Sequence, residues 1–259
     1  MSLRANRKRF TGPPHPDRDL PFRTIQKQKE RFLRRGLPVI SVDTKNKELI
    51  GNFKNSGRTW TAAPIEVNAH DFPQDALCKA TPYGVYDVGR NHGFVSVGLS
   101  SDTPQFAVDS IRQWWLCQGM RQYGPCRELL ILADAGGSNG YRPRLFKKQL
   151  QEQIADAFGL SVTVCHYPSG ASKWNPVEHR LFGPISCHWL GIPLRSLDLL
   201  LRLIRTTITE GGLKVCARLT YKFYKTGIRV SDAEMESLHL TRHDVCPQWN
   251  YTISPRKIK

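Results

Sequence analysis

The chain has 259 residues, enough for one large domain or one domain with appendages. Its composition, 40% hydrophobic and 10% aromatic, is that of a globular protein, and its apolar runs are far too short for a membrane span. Thirty-eight Lys and Arg oppose 22 Asp and Glu, a formal net charge of +16 that suits a polyanion such as nucleic acid or an acidic membrane surface.

Residues 1–20, MSLRANRKRFTGPPHPDRDL, are basic and proline-rich and read as extended. Residues 21–35 set Phe22, Ile25, Lys29, Phe32 and Leu33 at helical spacing with a narrow apolar face, and Gly36 and Pro38 supply the stop. Met1–Arg35 carries eleven Lys or Arg against three acids, a net +8, which is either a solvated face or a DNA-backbone contact. PVISVD (38–43) reads as a strand ending on Asp43, with KELIGNF (47–53) as its antiparallel partner. Residues 54–81 show few periodic signals. GVYDVGRNHGFVSVGLS (84–100) reads as two strands around a turn at Asn91-His92-Gly93. Ser101-Asp102-Thr103-Pro104 opens a helix, to about Met120, that buries Ala107, Ile111, Trp114 and Trp115.

The strand LLILAD (129–134) follows, then a glycine-rich loop, a helix over 142–158 and the strand SVTVCHY (161–167). NPVEHRLFGPISCHWL (175–190) reads as a helix with a kink or break at Pro184. Antiparallel strands followed by alternating helices and strands predict an α/β fold, an RNase H-like mixed five-stranded sheet flanked by helices. The tail holds a helix over 197–210 ended by Gly211-Gly212, a hairpin over 213–230, a capping box at Ser231-x-x-Glu234 and a last strand over 248–254. The expected organisation is a basic N-terminal arm (1–36), a core (37–195) and a small α+β C-terminal extension (196–259).

Seven cysteines without a CxxC pair argue against a disulfide framework and for a reducing cytosol. Cys187-His188 and His243-x-x-Cys246 lack zinc spacing. No apolar signal-peptide segment opens the sequence, so a soluble, intracellular protein is expected.

Three acids stand out, each with a plain alternative. Asp43 closes the first strand and, taken alone, is a turn residue. Asp134 closes the strand 129–134 and, taken alone, serves a turn equally well. In the expected sheet these two strands are adjacent and parallel, so the carboxylates lie side by side and repel unless a cation separates them. Glu178 fits an N3 capping position after Asn175 as N-cap and Pro176 at N1. Leu181, Phe182 and Ile185 nevertheless put Glu178 on the helix's apolar face, aimed at the sheet near the aspartates. Three hard carboxylates suit Mg²⁺, with Mn²⁺ as substitute, and two-metal phosphoryl transfer.

Ala135-Gly136-Gly137-Ser138-Asn139-Gly140 is neither GxGxxG nor followed by Gly-Lys-Ser/Thr, so no nucleotide cofactor is expected. The helix N-terminus beyond it, with Arg142, Arg144, Lys147 and Lys148, suits a DNA phosphate. Lys173 suits a phosphate and Trp174 an unpaired base, or else Trp174 is a loop residue covering the core.

SVDTKNKELIGNFKNSGRTW, EVNAHDFP, PYGVYDVGRNHGFVSVG, LLILADAGGSNG, VTVCHYPSGASKWNPVEHRLF and ISCHWLG resemble bacterial insertion-sequence transposases of the ISAzo-thirteen type, as do GLKVCARL, TGIRVSD and WNYTISP. The resemblance is collinear over roughly 37–255, and residues 1–36 look like the family's pre-catalytic segment. It implies an RNase H-like DDE catalytic domain, Mg²⁺ dependence, and cutting and joining of transposon DNA ends and target. The family's acids fall on Asp43 in SVDTK, Asp134 in LADAGG and Glu178 in NPVEH. It further implies a homo-oligomer on DNA, no membrane partner, and a bacterial cytoplasmic, nucleoid-associated location. An N-terminal helix-turn-helix is usual in such proteins, and residues 1–36 have no room for one. The chain is therefore expected to be a truncated copy, a separately started fragment or a partner of another subunit. Two other readings stand beside the active transposase: a catalytically inactive DNA-binding remnant, and an actin-like phosphotransferase, which tight ATP binding would reveal.

Overall fold

In the computed structural model, which describes residues 19–256, the strand β1 (Val39–Thr44) lies at the middle of a mixed sheet. Most of the arm read as extended falls outside the described residues. The other strands are β2 (Glu48–Ile50), β3 (Cys78–Asp87), β4 (His92–Gly98), β5 (Glu128–Ala133), β6 (Ser161–His166), β7 (Lys214–Thr220), β8 (Leu240–Arg242) and β9 (Asn250–Ile253). Their order is β7-β4-β3-β1-β5-β6-β9-β8, with β2 attached to β3. Around β1 the order β4-β3-β1-β5-β6, antiparallel on the β3 side and parallel on the β5 side, is the expected RNase H-like sheet.

The sheet is wider than five strands because the tail covers both edges. β7 adds to β4 in parallel, and β9 adds to β6 antiparallel with β8 beyond it. Each addition satisfies a row of backbone groups that an edge strand leaves unpaired. It also replaces the hairpin expected over 213–230: β7 is the one strand there, and its partner is β4. β2 pairs with β3, not with β1 as its sequence position suggested, because β3 and β5 already occupy both sides of β1. β3 begins at Cys78, inside the stretch expected to be irregular, and the β3–β4 turn falls just ahead of the predicted one, with Asn91 left-handed at φ 54°.

The helices are α1 (Leu20–Arg34), α2 (Pro104–Trp114), α3 (Met120–Tyr123), α4 (Arg144–Leu150), α5 (Gly183–His188), α6 (Leu197–Arg205) and α7 (Asp232–Glu236). α2 starts where the sequence places it, with the Thr103 hydroxyl accepting the Phe106 N–H at 3.2 Å. The capping box at Ser231 and Glu234 forms at the start of α7. α6 stops at Arg205, short of the glycine pair, where the Thr206 and Thr207 hydroxyls turn back onto the Arg202 and Leu203 carbonyls at 2.8 and 2.9 Å. Pro184 does not break its helix. The wide π-helical turn Glu178–Phe182 precedes it and runs directly into α5. No helix among the described residues is long and apolar enough to cross a membrane.

The sheet is covered on both faces. On one, α2 and α4 bring Phe106, Ile111, Trp114, Phe146 and Leu150 against Ile40, Val42, Leu129 and Ile131. On the other, the α5 segment and α6 pack Leu181, Ile185, Leu200 and Ile204 on Tyr86, Val95 and Val97, while α1 sets Ile25 and Phe32 on Val39, Leu130 and Leu132. Neighbouring positions on β1 and β5 thus face opposite layers, as the two-residue period of a strand requires.

Candidate active site

That alternation aims the aspartates. Val39 and Leu132 face the α1 and α5 layer, and two-residue steps from them lead to Ser41 and Asp43 on β1 and to Asp134 just past β5. Val42 and Ala133 are register partners, so Asp43 and Asp134 leave the carboxyl ends of neighbouring parallel strands on the same face. Glu178 opens the π-helical turn that lies over this end. Its helix approaches closely because Gly84, the register partner of Asp43, has no side chain: a Cβ there would come within 2.6 Å of the Phe182 ring.

A buried polar strut ties the three acid-bearing elements together. Asn175 is fully buried. Its amide nitrogen donates to Asp134 Oδ1 at 2.9 Å and to the Val42 carbonyl at 3.2 Å, and its oxygen accepts from the Ser41 hydroxyl. Ser41 Oγ in turn accepts the Val177 N–H at 2.9 Å. Asn175 stands at the expected N-cap position, directly ahead of the helical Pro176, but its side chain does not cap. The Asn175 side chain reaches across to β1 and β5, and Ser41 serves the first free N–H of the helix, that of Val177, from the sheet. Glu178 comes near enough to Asp43 and Asp134 for their charges to act on one another's protonation.

All three acids are half-buried. Burial raises the pKa of each. Asp43 is pushed up to about 8, first by burial and then by the Asp134 charge, with Glu178 adding to it and the Thr44 N–H opposing. The Asp134 charge also raises Glu178, and the Asn175 amide holds Asp134 back. Among the described residues no three His, Cys, Asp or Glu side chains already converge into a metal cage. The chemistry nonetheless fits a hard cation: the donors are all carboxylate oxygens, they are partly withdrawn from water, and the Asp134 charge disfavours that of Asp43 and of Glu178. A cation between the carboxylates would relieve that repulsion.

Sequence reasoning passed over His166, Asp102 and the roles of Ser41 and Asn175. Buried His166 sets Nδ1 at 2.9 Å from the Asp134 carbonyl, which only accepts, so Nδ1 carries the proton. Burial lowers its pKa to about 4, leaving a neutral ring that anchors the backbone at Asp134. Asp102 shares a cleft of about 260 Å³ with Asp43, Thr81 and Asn139 beside the glycine loop. Within that loop Gly140 permits a tight return, because a Cβ would meet the Ala135 carbonyl oxygen at 2.7 Å.

The cations picked out beyond the loop divide. Arg142 is exposed and lies against Tyr141, its guanidinium carbon 5.3 Å from the ring centroid. Arg144 pairs with Asp232 at 2.6 Å, and Lys148 with Glu234 at 2.7 Å, so both tie α4 to α7. Lys147 is buried against the Tyr141 carbonyl, and burial lowers its pKa to about 8. The unfolded chain therefore holds more protons than the fold between pH 8 and the ordinary lysine value of 10.5, and stability contributed by Lys147 rises with pH across that window, by up to about 3 kcal/mol. Lys147→Met is expected to flatten the rise, as read from urea melts at pH 7.5 and pH 10. Lys173 and Trp174 are exposed on the short helical turn that leads into Asn175.

The transposase DDE domain described for Rhodopirellula matches residues 1–255. This chain belongs to that family. The DDE domain has the fold of Mos1 transposase. The Mos1 strand transfer complex aligns at TM-score 0.50 and 11% identity over 78% of this chain and 57% of that one. The Mos1 paired-end complex with left transposon end aligns at TM-score 0.49 and 12% identity over 76% of this chain and 56% of that one. The DDE domain thus spans little more than half the length of the Mos1 chains. No curated protein matches it in sequence.

Proposed function

We propose that this DDE domain cleaves DNA phosphodiester bonds and transfers the strands during transposition, with Asp43, Asp134 and Glu178 as its metal-holding acids. The observation that supports the reading is that β1, β5 and the turn ahead of α5 bring the three acids to one sheet end, where the Asp134 charge acts on both Asp43 and Glu178. The family implies a divalent metal; we assign Mg²⁺, with Mn²⁺ as substitute and two ions. When bound, such ions supply an activated water or 3′-hydroxyl and stabilise the leaving oxygen.

The chain's own residues do the positioning. Asn175 fixes the Asp134 carboxylate, His166 fixes its backbone, and Ser41 fixes the start of the helix that carries Glu178. Exposed Arg142, Lys173 and Trp174 are the DNA contacts we assign, whereas Arg144 has a structural partner in Asp232 as well. In this reading residues 1–36 form the pre-catalytic arm, 37–195 the catalytic core and 196–259 an extension closing both sheet edges. The protein works as a homo-oligomer on transposon ends and target DNA, in the bacterial cytoplasm at the nucleoid.

The test is to incubate the full chain with duplexes carrying the DNA that flanks its gene. Nicking in Mg²⁺ or Mn²⁺ that EDTA abolishes is expected. Salt-sensitive binding with no metal-dependent cleavage of any such end would replace this reading with that of an inactive DNA-binding remnant.

A further inference from the structure

A groove of about 760 Å³ separates α1 from the segment 167–176. Phe22 and Tyr167 line it, their ring centroids 6.4 Å apart, and Phe22 meets Trp174 edge-on at 5.9 Å. Tyr167 is buried, whereas Trp174 leaves 59% of its surface exposed. The Lys173 ammonium lies 5.5 Å from the centre of the Trp174 ring. Phe22 thus steadies an indole whose surface stays largely open. Trp174 is not core filling, and its ring is offered to the groove.

The charge around the groove is also not neutralised by carboxylates. Arg23, Lys29 and Lys173 line it against one acid, Asp19. Among the described residues none of these three cations forms an ion pair with a carboxylate, unlike Lys45, Arg144 and Lys148, which pair with Glu48, Asp232 and Glu234. Aromatic surface beside unneutralised cations is the combination that holds single-stranded nucleic acid: the base stacks on the ring while the phosphates meet the charges. A duplex cannot use it, because its bases are already stacked inside. The groove and the acids are joined by one stretch of chain, since Trp174 is followed directly by Asn175, which holds Asp134, and by the Glu178 turn.

We propose that this groove binds the unpaired nucleotides of a cut DNA end, with one base stacked on Trp174 and the flanking phosphates on Arg23, Lys29 and Lys173. The inference rests on the reading of the neighbouring acids as a DNA-cleaving site for the origin of those nucleotides, but the groove's binding is measurable without cleavage.

The experiment uses the full chain in EDTA with two fluorescent duplexes, one blunt and one with a short single-stranded overhang carrying 2-aminopurine. Binding is expected to quench the 2-aminopurine, and the overhang duplex is expected to bind about 10-fold tighter than the blunt one. Trp174→Ala abolishes both effects and Trp174→Phe retains most of each. Lys29→Gln lowers the salt slope of overhang binding by about 0.7, the increment of one phosphate contact to a single strand. Unchanged quenching and affinity in Trp174→Ala, or an overhang bound no better than a blunt end by the wild type, overturns the proposal. The second result is also the one expected if residues 1–18 fill the groove. Glu178→Gln should bind the overhang like the wild type. Quenching without nicking in the wild type would defeat the cleavage reading and leave the groove standing, and nicking without quenching would do the reverse.

Discussion

Asp43→Asn, Asp134→Asn and Glu178→Gln are each expected to lower metal-dependent nicking by roughly 10³-fold or more, because a residue that acts only as part of a unit takes the unit's activity with it. The same changes should not unfold the protein. Each replaces a half-buried carboxyl by a neutral amide of nearly the same shape, and the charge at this place is disfavoured in metal-free protein, most clearly at Asp43, whose pKa stands at about 8. Melting temperatures in EDTA should therefore hold or rise. A divalent cation that binds the fold and not the unfolded chain raises the wild-type melting temperature, and the variants should lose that increment. Undiminished nicking in any one variant would remove that residue from the site.

Asn175→Ala is expected to be the most damaging change outside the acids. It removes hydrogen bonds to Asp134, Val42 and Ser41 in a fully buried position and leaves their partners unsatisfied. The loss in stability should be about 2–4 kcal/mol. Nicking should fall a further step, on the order of 10²-fold, because Asp134 and the helix bearing Glu178 lose their common support. Urea melts give the first quantity, and nicking measured well below the melting temperature gives the second. An alanine variant as stable and as active as the wild type would show that the strut positions nothing.

The parts of the fold that were legible in the sequence are those set by short-range pattern. PVISVD and LLILAD announce the two strands whose carboxyl ends carry acids, Asp43 one residue before the end of β1 and Asp134 one residue past β5, and the capping signals at Thr103 and Ser231 form as expected. The apolar spacing of Leu181, Phe182 and Ile185 correctly laid the Glu178 helix on the sheet. What stayed hidden depends on distant partners. LLILA is apolar at every position because both of its faces are covered, so its alternation could not be seen until the layers were known. Asn175 has the residue type and position of a helix cap, and nothing local distinguishes that from a tie to β1 and β5. Ser41 reads as an ordinary strand residue. Arg144 and Lys148 look like free phosphate ligands until α7 supplies Asp232 and Glu234. β2 went to the wrong partner because a short loop to β1 says nothing about β3 and β5 already flanking β1. Both edge additions likewise come from the tail, far along the chain from the strands they complete.

The central claim is that Asp43, Asp134 and Glu178 together hold the metal at which DNA is cut. Anomalous diffraction from crystals of the full chain soaked in Mn²⁺ tests it most directly. Manganese peaks bonded to carboxylate oxygens of all three residues are predicted. Crystals in which manganese binds elsewhere, for example at Asp102 alone, while the space between these acids holds none, would contradict it.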